Sequence, residues 1–417
     1  MPILRFAGDR SCSPEPNPVL DQTRLNIQVR SRTSRLPWKG QFSPDLVKYL
    51  MDVVCPDSDS FLDPFCGSGT VLFEALERGR SAYGSEVNPA AWHLASLASF
   101  SGLPLADQDY VLGRLKSFAT EIGFDYSDIF KGSQAAPDIL CKITTQDHPF
   151  LRTALACVVL LGMGDKEKLT HSEVARGTFT VISLLRELKT YRSVAECHLS
   201  DARKLPIPSA SLGASITSPP YINVFNYHQN YRVAAELLGW QPLQAARSEF
   251  GSNRKHRANR FLTVIQYCLD IGKALEEMCR VLRDGAPIVV VVGRTSNVLG
   301  TPFSNSTLIS ELFASGGYGV DTAERVFTNR YGAEIYEDIL MTHKSGDCKI
   351  SPHDARAIGA TALVGARGGV PEKSRAVLED AISQVGDVFP SPLLSLQLPS
   401  AFQPSYRPNT GYSHASG

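Results

Sequence analysis

Hydrophobic and polar positions along this chain switch between a period near two and a period near 3.6, and each switch marks an element. The run FLD, Phe61 to Asp63, is a short apolar stretch ending on a carboxylate. The small-residue turn PFCGSGT follows, and VLFEALERGR then takes up helical spacing, which predicts strand, glycine-rich turn and helix. A second strand, SAYGSE, comes next. Upstream, Leu46, Tyr49, Leu50 and Val53 recur on one helical face, with Ser43 as a candidate N-cap and Pro44 and Asp45 in the first turn. Between about residues 105 and 195, LRTALACVVLLGMG and TFTVISLLRELKTYR predict a mostly helical insertion. AECHLSD and GASITSPP read as short strands with abrupt ends. FLTVIQYCLDIGKALEEMCRVLRDGAPIVVVVG reads as a long amphipathic helix, a turn at Asp284 and Gly285, and a buried strand. GVDTAERVFTNR and AEIYEDILMTHK alternate and predict an antiparallel pair at a sheet edge. Beyond about Ser345 no period is strong, and residues 344–417 are expected to form a flexible tail.

Strands alternating with helices predict an α/β fold. A chain of 417 residues with 43% hydrophobic and 20% charged side chains can bury a sizeable core. The formal net charge of +0 removes any inference from overall basicity, so a nucleic-acid partner would be held by local clusters. Two such clusters exist. Arg24, Arg30, Arg32, Arg35 and Lys39 follow one another without an intervening acid in or beside a basic N-terminal arm, residues 1–37. Arg254, Lys255, Arg257 and Arg260 form the second, and both are candidate phosphate contacts. The nine cysteines are scattered with no C-x-x-C pair, which fits reduced thiols in a cytoplasmic protein and disfavours a zinc site. No apolar run reaches membrane-spanning length, and none resembles a signal peptide.

The turn after the first strand carries the first chemical signal. Gly67 and Gly69 allow a ligand to approach the backbone, and a helix starting near Thr70 would aim unpaired N–H groups at it. Glu86 ends the next strand about twenty residues on, the offset at which a carboxylate takes ribose hydroxyls. The turn matches neither G-x-x-x-x-G-K-[ST] nor a strict G-x-G-x-x-G, which weakens the nucleoside triphosphate and nicotinamide readings. Asp201, at the end of the strand in AECHLSD, is a candidate acceptor for an adenine amine or an ordinary turn residue. In Ser218-Pro219-Pro220-Tyr221 the paired prolines stiffen a strand-end loop and hold its carbonyls free.

Together, DPFCGSGT at Asp63 to Thr70, GSEVNP, and TSPPY at Thr217 to Tyr221 resemble the S-adenosylmethionine-dependent amino-methyltransferases of DNA, which methylate cytosine N4 or adenine N6. The resemblance covers roughly residues 38–343 and extends weakly to GQFSPDLVKYL, SDARKLP and EFGSNRKHR. It implies a Rossmann-like methyltransferase fold, a seven-stranded mostly parallel sheet with an antiparallel terminal strand, interrupted by the helical insertion. It further implies that Asp63, Phe65, Gly67, Gly69 and Thr70 hold the methionine end of the cofactor, Glu86 its ribose and Asp201 its adenine. Ser218, Pro219 and Tyr221 would form the catalytic loop, with Pro220 keeping it rigid. The cofactor half precedes the catalytic half, the reverse of one group of these enzymes, which leaves the insertion at 105–195 as a candidate target-recognition region.

The expected activity is site-specific methylation of cytosine N4 in duplex DNA, in partnership with a restriction endonuclease acting on the same site. Ser218 rather than Asp at the head of the loop leans toward cytosine; the near alternative is adenine N6. Methylation at ring carbon 5 is disfavoured because no Pro-Cys pair is present. A transfer-RNA guanine-N2 methyltransferase also uses DPFCGSGT, but those enzymes usually carry an added N-terminal RNA-binding domain, and only about 37 residues precede the match here. The remaining alternative, a nucleic-acid-binding protein without catalysis, is opposed by the intact TSPPY loop.

Overall fold

Phe61 and Leu62 of the first strand point to opposite sides of a sheet, and both are fully buried. That alternation explains the whole architecture. Phe61, Ala82, Ile216, Val289, Val291 and Ile339 join one apolar core, whereas Leu62, Ile288, Val290, Val292 and Leu340 join another on the opposite face. Strands buried on both sides read as continuous apolar runs and need helices over each face. The computed structural model describes residues 17–26, 34–121, 136–222, 226–252, 256–328 and 332–402.

Within those residues the chain opens with α1 (Gln22–Leu25) and α2 (Pro44–Val53), then alternates β1 (Ser60–Asp63), α3 (Thr70–Glu77), β2 (Ser81–Glu86) and α4 (Pro89–Ser96). The predicted insertion is α5 (Leu105–Glu121), α6 (Ala136–Thr144), α7 (Pro149–Met163) and α8 (His171–Leu188). β3 (Ala195–Leu199) and β4 (Ala214–Thr217) follow, then short α9 (Arg232–Leu237) and α10 (Pro242–Ala245), long α11 (Leu262–Val281) and β5 (Pro287–Gly293). A separate hairpin of β6 (Thr295–Val298) and β7 (Thr301–Ser304) leads into α12 (Asn305–Ser315), β8 (Asp321–Thr328) and β9 (Glu334–His343).

The main sheet has seven strands in the order β3-β2-β1-β4-β5-β9-β8. All neighbours from β3 to β5 pair in parallel, and only β9 runs against the others, inserted between β5 and β8. This is the Rossmann-like methyltransferase architecture, with the reversal of strand order between β1 and β4. Ligands in open parallel sheets bind at such a reversal, beyond the carboxyl ends of the strands.

Three expectations are corrected. Residues 344–402 do not form a loose tail: α13 (Pro352–Gly365) and α14 (Glu372–Ser383) are well-formed helices, and α13 lies against α11. Gly359 is the reason, since a Cβ there would sit 2.9 Å from Ile265 Cα; the glycine that weakens the helical signal allows the two helices to touch. The last described stretch is also tied down, with Ser391 N donating to Asp270 Oδ1 at 2.8 Å and Phe402 stacked on Trp240 at 5.7 Å. Second, the described cations of the first basic cluster are engaged within the fold. Arg35 is an internal clamp bonded to Glu74, Glu77 and Glu187, Arg24 lies over the Tyr49 ring at 4.4 Å and Lys39 pairs with Asp165; Arg30 and Arg32 fall outside the described residues. Third, Ser43 sits at the N-cap position of α2 but its hydroxyl makes no capping bond. No helix is long and apolar enough to cross a membrane among the described residues.

Candidate active site

β1 and β4 are adjacent parallel strands, so the turn after Asp63 and the loop after Thr217 emerge side by side. One hydrogen bond joins them: Thr217 Oγ1 donates to Asp63 Oδ1 at 2.6 Å. The same carboxylate oxygen accepts from Phe65 N at 3.1 Å, folding the chain back into the turn. Burial pushes the Asp63 carboxyl up to about 7, against the lowering effect of these two donors. Thr217, part of the TSPPY motif, is thus a site residue to which the sequence gives no role, because threonine at the end of a strand is ordinary until its partner is known.

The turn itself needs its glycines. Gly67 and Gly69 have φ of +52° and +91°, and Gly69 is the N-cap of α3. Glu86 braces the turn from β2: its Oε2 accepts from Gly67 N at 2.9 Å and its Oε1 from Asn88 N at 2.7 Å. Burial raises the Glu86 carboxyl to about 7, opposed by those backbone donors. Gln41, also missed in the sequence, ties the segment before α2 to the turn through Ser68 Oγ at 3.0 Å and Thr70 Oγ1 at 3.2 Å.

Beyond the joined strand ends lies a cavity of about 310 Å3, within the range of small-molecule sites. Asp63, Phe65, Gly67, Thr70 and Glu86 line it from the turn, Ser218, Pro220 and Tyr221 from the loop, and Trp38, Phe42 and Ser43 from the segment before α2. Gly69 lies behind the wall as the helix cap, and Pro219 lines a small separate cavity with Met278 and Val290. Ser218 Oγ and Tyr221 Oη are 3.5 Å apart. The Tyr221 ring lies where a Cβ on Gly293 would come within 2.9 Å of it, so the glycine ending β5 makes its seat. Burial raises the Tyr221 phenol to about 12, which keeps it protonated.

Among the described residues, the ionisable groups of the lining include four carboxyls, Asp63, Glu86, Glu249 and Glu337, and one guanidinium, Arg325. Such a lining favours a ligand with net positive charge. The Ser43 hydroxyl, buried without a hydrogen-bond partner among the described residues, stands in this lining at the N-terminus of α2, where helical N–H groups favour a carboxylate. A sulfonium nucleoside carrying an amino-acid tail has both features.

Asp201, the residue expected at the adenine, does not line the cavity. Its carboxylate is held by Arg203 at 2.7 Å and accepts from Leu394 N at 3.1 Å, and Arg203 also bonds Asp270 at 2.6 Å. These bonds belong to the anchor of residues 391–394, and Ala202 rather than Asp201 faces the cavity. Asp201→Ala is expected to cost about 3–5 kcal/mol in stability, as for other broken buried pairs, while changing cofactor affinity less than about threefold. Denaturant melts and ligand titration of the folded variant check both parts. Among the second basic cluster, Arg257 is exposed and Arg260 half-buried, whereas Arg254 and Lys255 lie outside the described residues.

Residues 11–96 match the N6/N4 family model described as DNA methylase. Through this segment, the chain is similar to DNA amino-methyltransferases. It is 40% identical over 53 residues to a type II methyltransferase, M.MjaII, of Methanocaldococcus jannaschii, covering 13% of this chain and 10% of that protein. The chain therefore matches only a small fraction of that curated relative's length. Solved structures similar to it include an S-adenosylmethionine-dependent methyltransferase from Methanosarcina mazei, at 13% identity, TM-score 0.32, and 69% and 93% coverage of the two chains. An rRNA methyltransferase from Streptomyces viridochromogenes, aviRa, matches at 13% identity and TM-score 0.32 over 82% and 96%. The fold assignment stands on strand order and register, and the amino-methyltransferase family supplies S-adenosylmethionine as the cofactor to test against the cavity. The acidic lining, the Ser43 hydroxyl and the glycine turn fit it.

Proposed function

We propose that this amino-methyltransferase transfers a methyl group from S-adenosylmethionine to the exocyclic N4 amine of cytosine, flipped out of duplex DNA at a specific sequence. The observation that carries the reading is the Asp63–Thr217 hydrogen bond, which places the cofactor turn and the SPPY loop on one cavity. Asp63, Phe65, Gly67, Gly69 and Thr70 would form the methionine subsite together with Ser43, and Glu86 would take the ribose. The cofactor supplies an electrophilic methyl group on a sulfonium.

An aromatic amine is a poor nucleophile because its lone pair is delocalised into the ring. The Ser218 hydroxyl and the Pro219 carbonyl would accept its N–H groups and turn the lone pair toward the methyl group, while Tyr221 offers a face for the flipped base. Since Tyr221 stays protonated, its role is packing and hydrogen bonding rather than proton removal. Arg254, Lys255, Arg257 and Arg260 would contact phosphates. The helical insertion is the proposed target-recognition region, supported by the packing of α7 on α9, the helix that follows the catalytic loop. A restriction endonuclease sharing the target sequence is the proposed biological partner, in keeping with the type II name of the Methanocaldococcus jannaschii relative.

Incubation with labelled S-adenosylmethionine and DNA or RNA, followed by digestion to nucleosides, tests this reading. Label in N4-methyl-2′-deoxycytidine from DNA is expected. Label in N6-methyladenine overturns the base assignment, label from RNA alone overturns the DNA reading, and no label leaves a binding protein.

Cofactor binding should also depend on pH. Asp63 and Glu86 titrate near 7 in the ligand-free protein, and a cation beside them favours their ionised forms. Binding then releases protons, so affinity for S-adenosylmethionine is expected to rise as pH increases through 7. S-adenosylhomocysteine lacks the sulfonium charge and should change less. Calorimetric titrations at pH 6 and pH 8 compare the two; equal pH dependence would contradict the electrostatic role. Without ligand the sign for folding is opposite: the folded pKa values lie above the ordinary 3.8 and 4.5, so these groups make stability fall as pH rises from about 4 to about 7.

A further inference from the structure

The cofactor reading leaves one demand unmet, because Asp201, the expected adenine acceptor, is held by Arg203 and Leu394 N. On the same side of the cavity, Ser85, Glu86, Val87, Asn88 and Ala202 form one wall. Tyr227 and Glu249, contributed by the chain after the catalytic loop, line the same cavity. Asn88 Nδ2 donates to Tyr227 O at 3.0 Å, which fixes this chain against β2's end, and within the chain His228 Nδ1 lies 2.9 Å from Glu249 Oε2. His228 and Glu249 are 1% and 4% exposed, so the carboxylate is held by a buried partner. Its charge also acts on Glu86 across the cavity, contributing to the rise of that group.

Resting on the S-adenosylmethionine reading, we propose that Glu249, anchored by His228, is the second carboxylate of the nucleoside subsite and accepts the exocyclic amine of the cofactor's adenine. Glu86 keeps the ribose, and the adenine ring lies against Val87 and Ala202, which line the same cavity as Glu249. An acidic residue some thirty positions past SPPY then completes a subsite whose expected residue, at the end of β3, serves the C-terminal anchor instead.

The test compares two ligands that differ at adenine position 6. S-adenosylhomocysteine presents an amine donor there, and S-inosylhomocysteine a carbonyl acceptor. Wild type is expected to prefer the adenosyl ligand. Glu249→Gln exchanges one acceptor oxygen for an NH2 donor and is expected to weaken S-adenosylhomocysteine about 10- to 100-fold while changing S-inosylhomocysteine less than about threefold. Thermal melts establish that the variant is folded; should it not fold, the paired variant His228→Asn with Glu249→Gln keeps a neutral hydrogen-bonded pair and is expected to show the same loss of preference. Unchanged S-adenosylhomocysteine affinity, or equal loss for both ligands, in a folded variant overturns the assignment of Glu249. Failure of the wild-type chain to bind S-adenosylhomocysteine at all overturns the cofactor reading beneath it, and the two failures are told apart by the wild-type titration alone.

Discussion

Gly69→Val is expected to abolish cofactor binding and to be more damaging than the same change at Gly67. Gly69 has φ of +91°, and a Cβ there would stand 3.1 Å from Ala95 Cα and 3.3 Å from the Phe73 ring. Backbone in α4 cannot move aside as a flexible side chain can. The left-handed conformation adds about 1–3 kcal/mol of strain for a β-branched residue, and overpacking adds about 1–3 kcal/mol more. Gly67, at φ of +52°, has only the Trp38 indole 3.4 Å away, an ordinary contact, so Gly67→Val carries mainly the strain. Relief of the strain would shift the turn, detach Gly67 N from Glu86 and misplace the start of α3. Calorimetric titration with S-adenosylhomocysteine should show no measurable binding for Gly69→Val and a weakened site for Gly67→Val, with circular dichroism confirming that the sheet is intact. Wild-type affinity in folded Gly69→Val would separate the turn from the cofactor site.

What could be read without coordinates follows from how local each signal is. The seven strands of the main sheet and helices such as α3 and α11 are visible as changes of period because the sheet is buried on both faces by its own helices, whereas the β6–β7 hairpin and α12 carry no comparable signal. The turn and the SPPY loop are equally local, since glycine and proline dictate backbone shape wherever they stand. The misreadings concern side chains whose partners are far away in sequence. Arg35 reads as a phosphate contact until Glu74 and Glu187 are seen around it, and Asp201 reads as a ligand group until Arg203 and Leu394 occupy it. Glu249 had no signal at all, being one acid in a polar stretch whose meaning depends on His228 and on the wall it faces. The C-terminal helices were hidden for a related reason: Gly359 argues against a helix locally and in favour of one once Ile265 lies across it.

Ser218→Ala is expected to lower turnover by about 100- to 1000-fold, the loss typical of removing one hydrogen-bonding group that acts in a transition state. Ser218 lines the cavity at the end of β4, and its hydroxyl lies 3.5 Å from Tyr221 Oη. Its neighbours hold the loop in place without it: Thr217 is fixed to Asp63, and Tyr221 is seated against Gly293. Removing the hydroxyl therefore deletes an acceptor for the target amine and leaves the shape of the loop. The methionine and ribose contacts lie on the turn and β2, so affinity for S-adenosylhomocysteine should stay within about threefold of wild type. Ser218→Asp separates two accounts of the same residue. If any acceptor at this position suffices, the aspartate variant recovers part of the activity on cytosine or moves it toward adenine, because either side chain can accept from an amine. Full turnover in Ser218→Ala would mean that the amine is held elsewhere in the cavity, with Glu337, which lines it and acts electrostatically on Tyr221, a candidate.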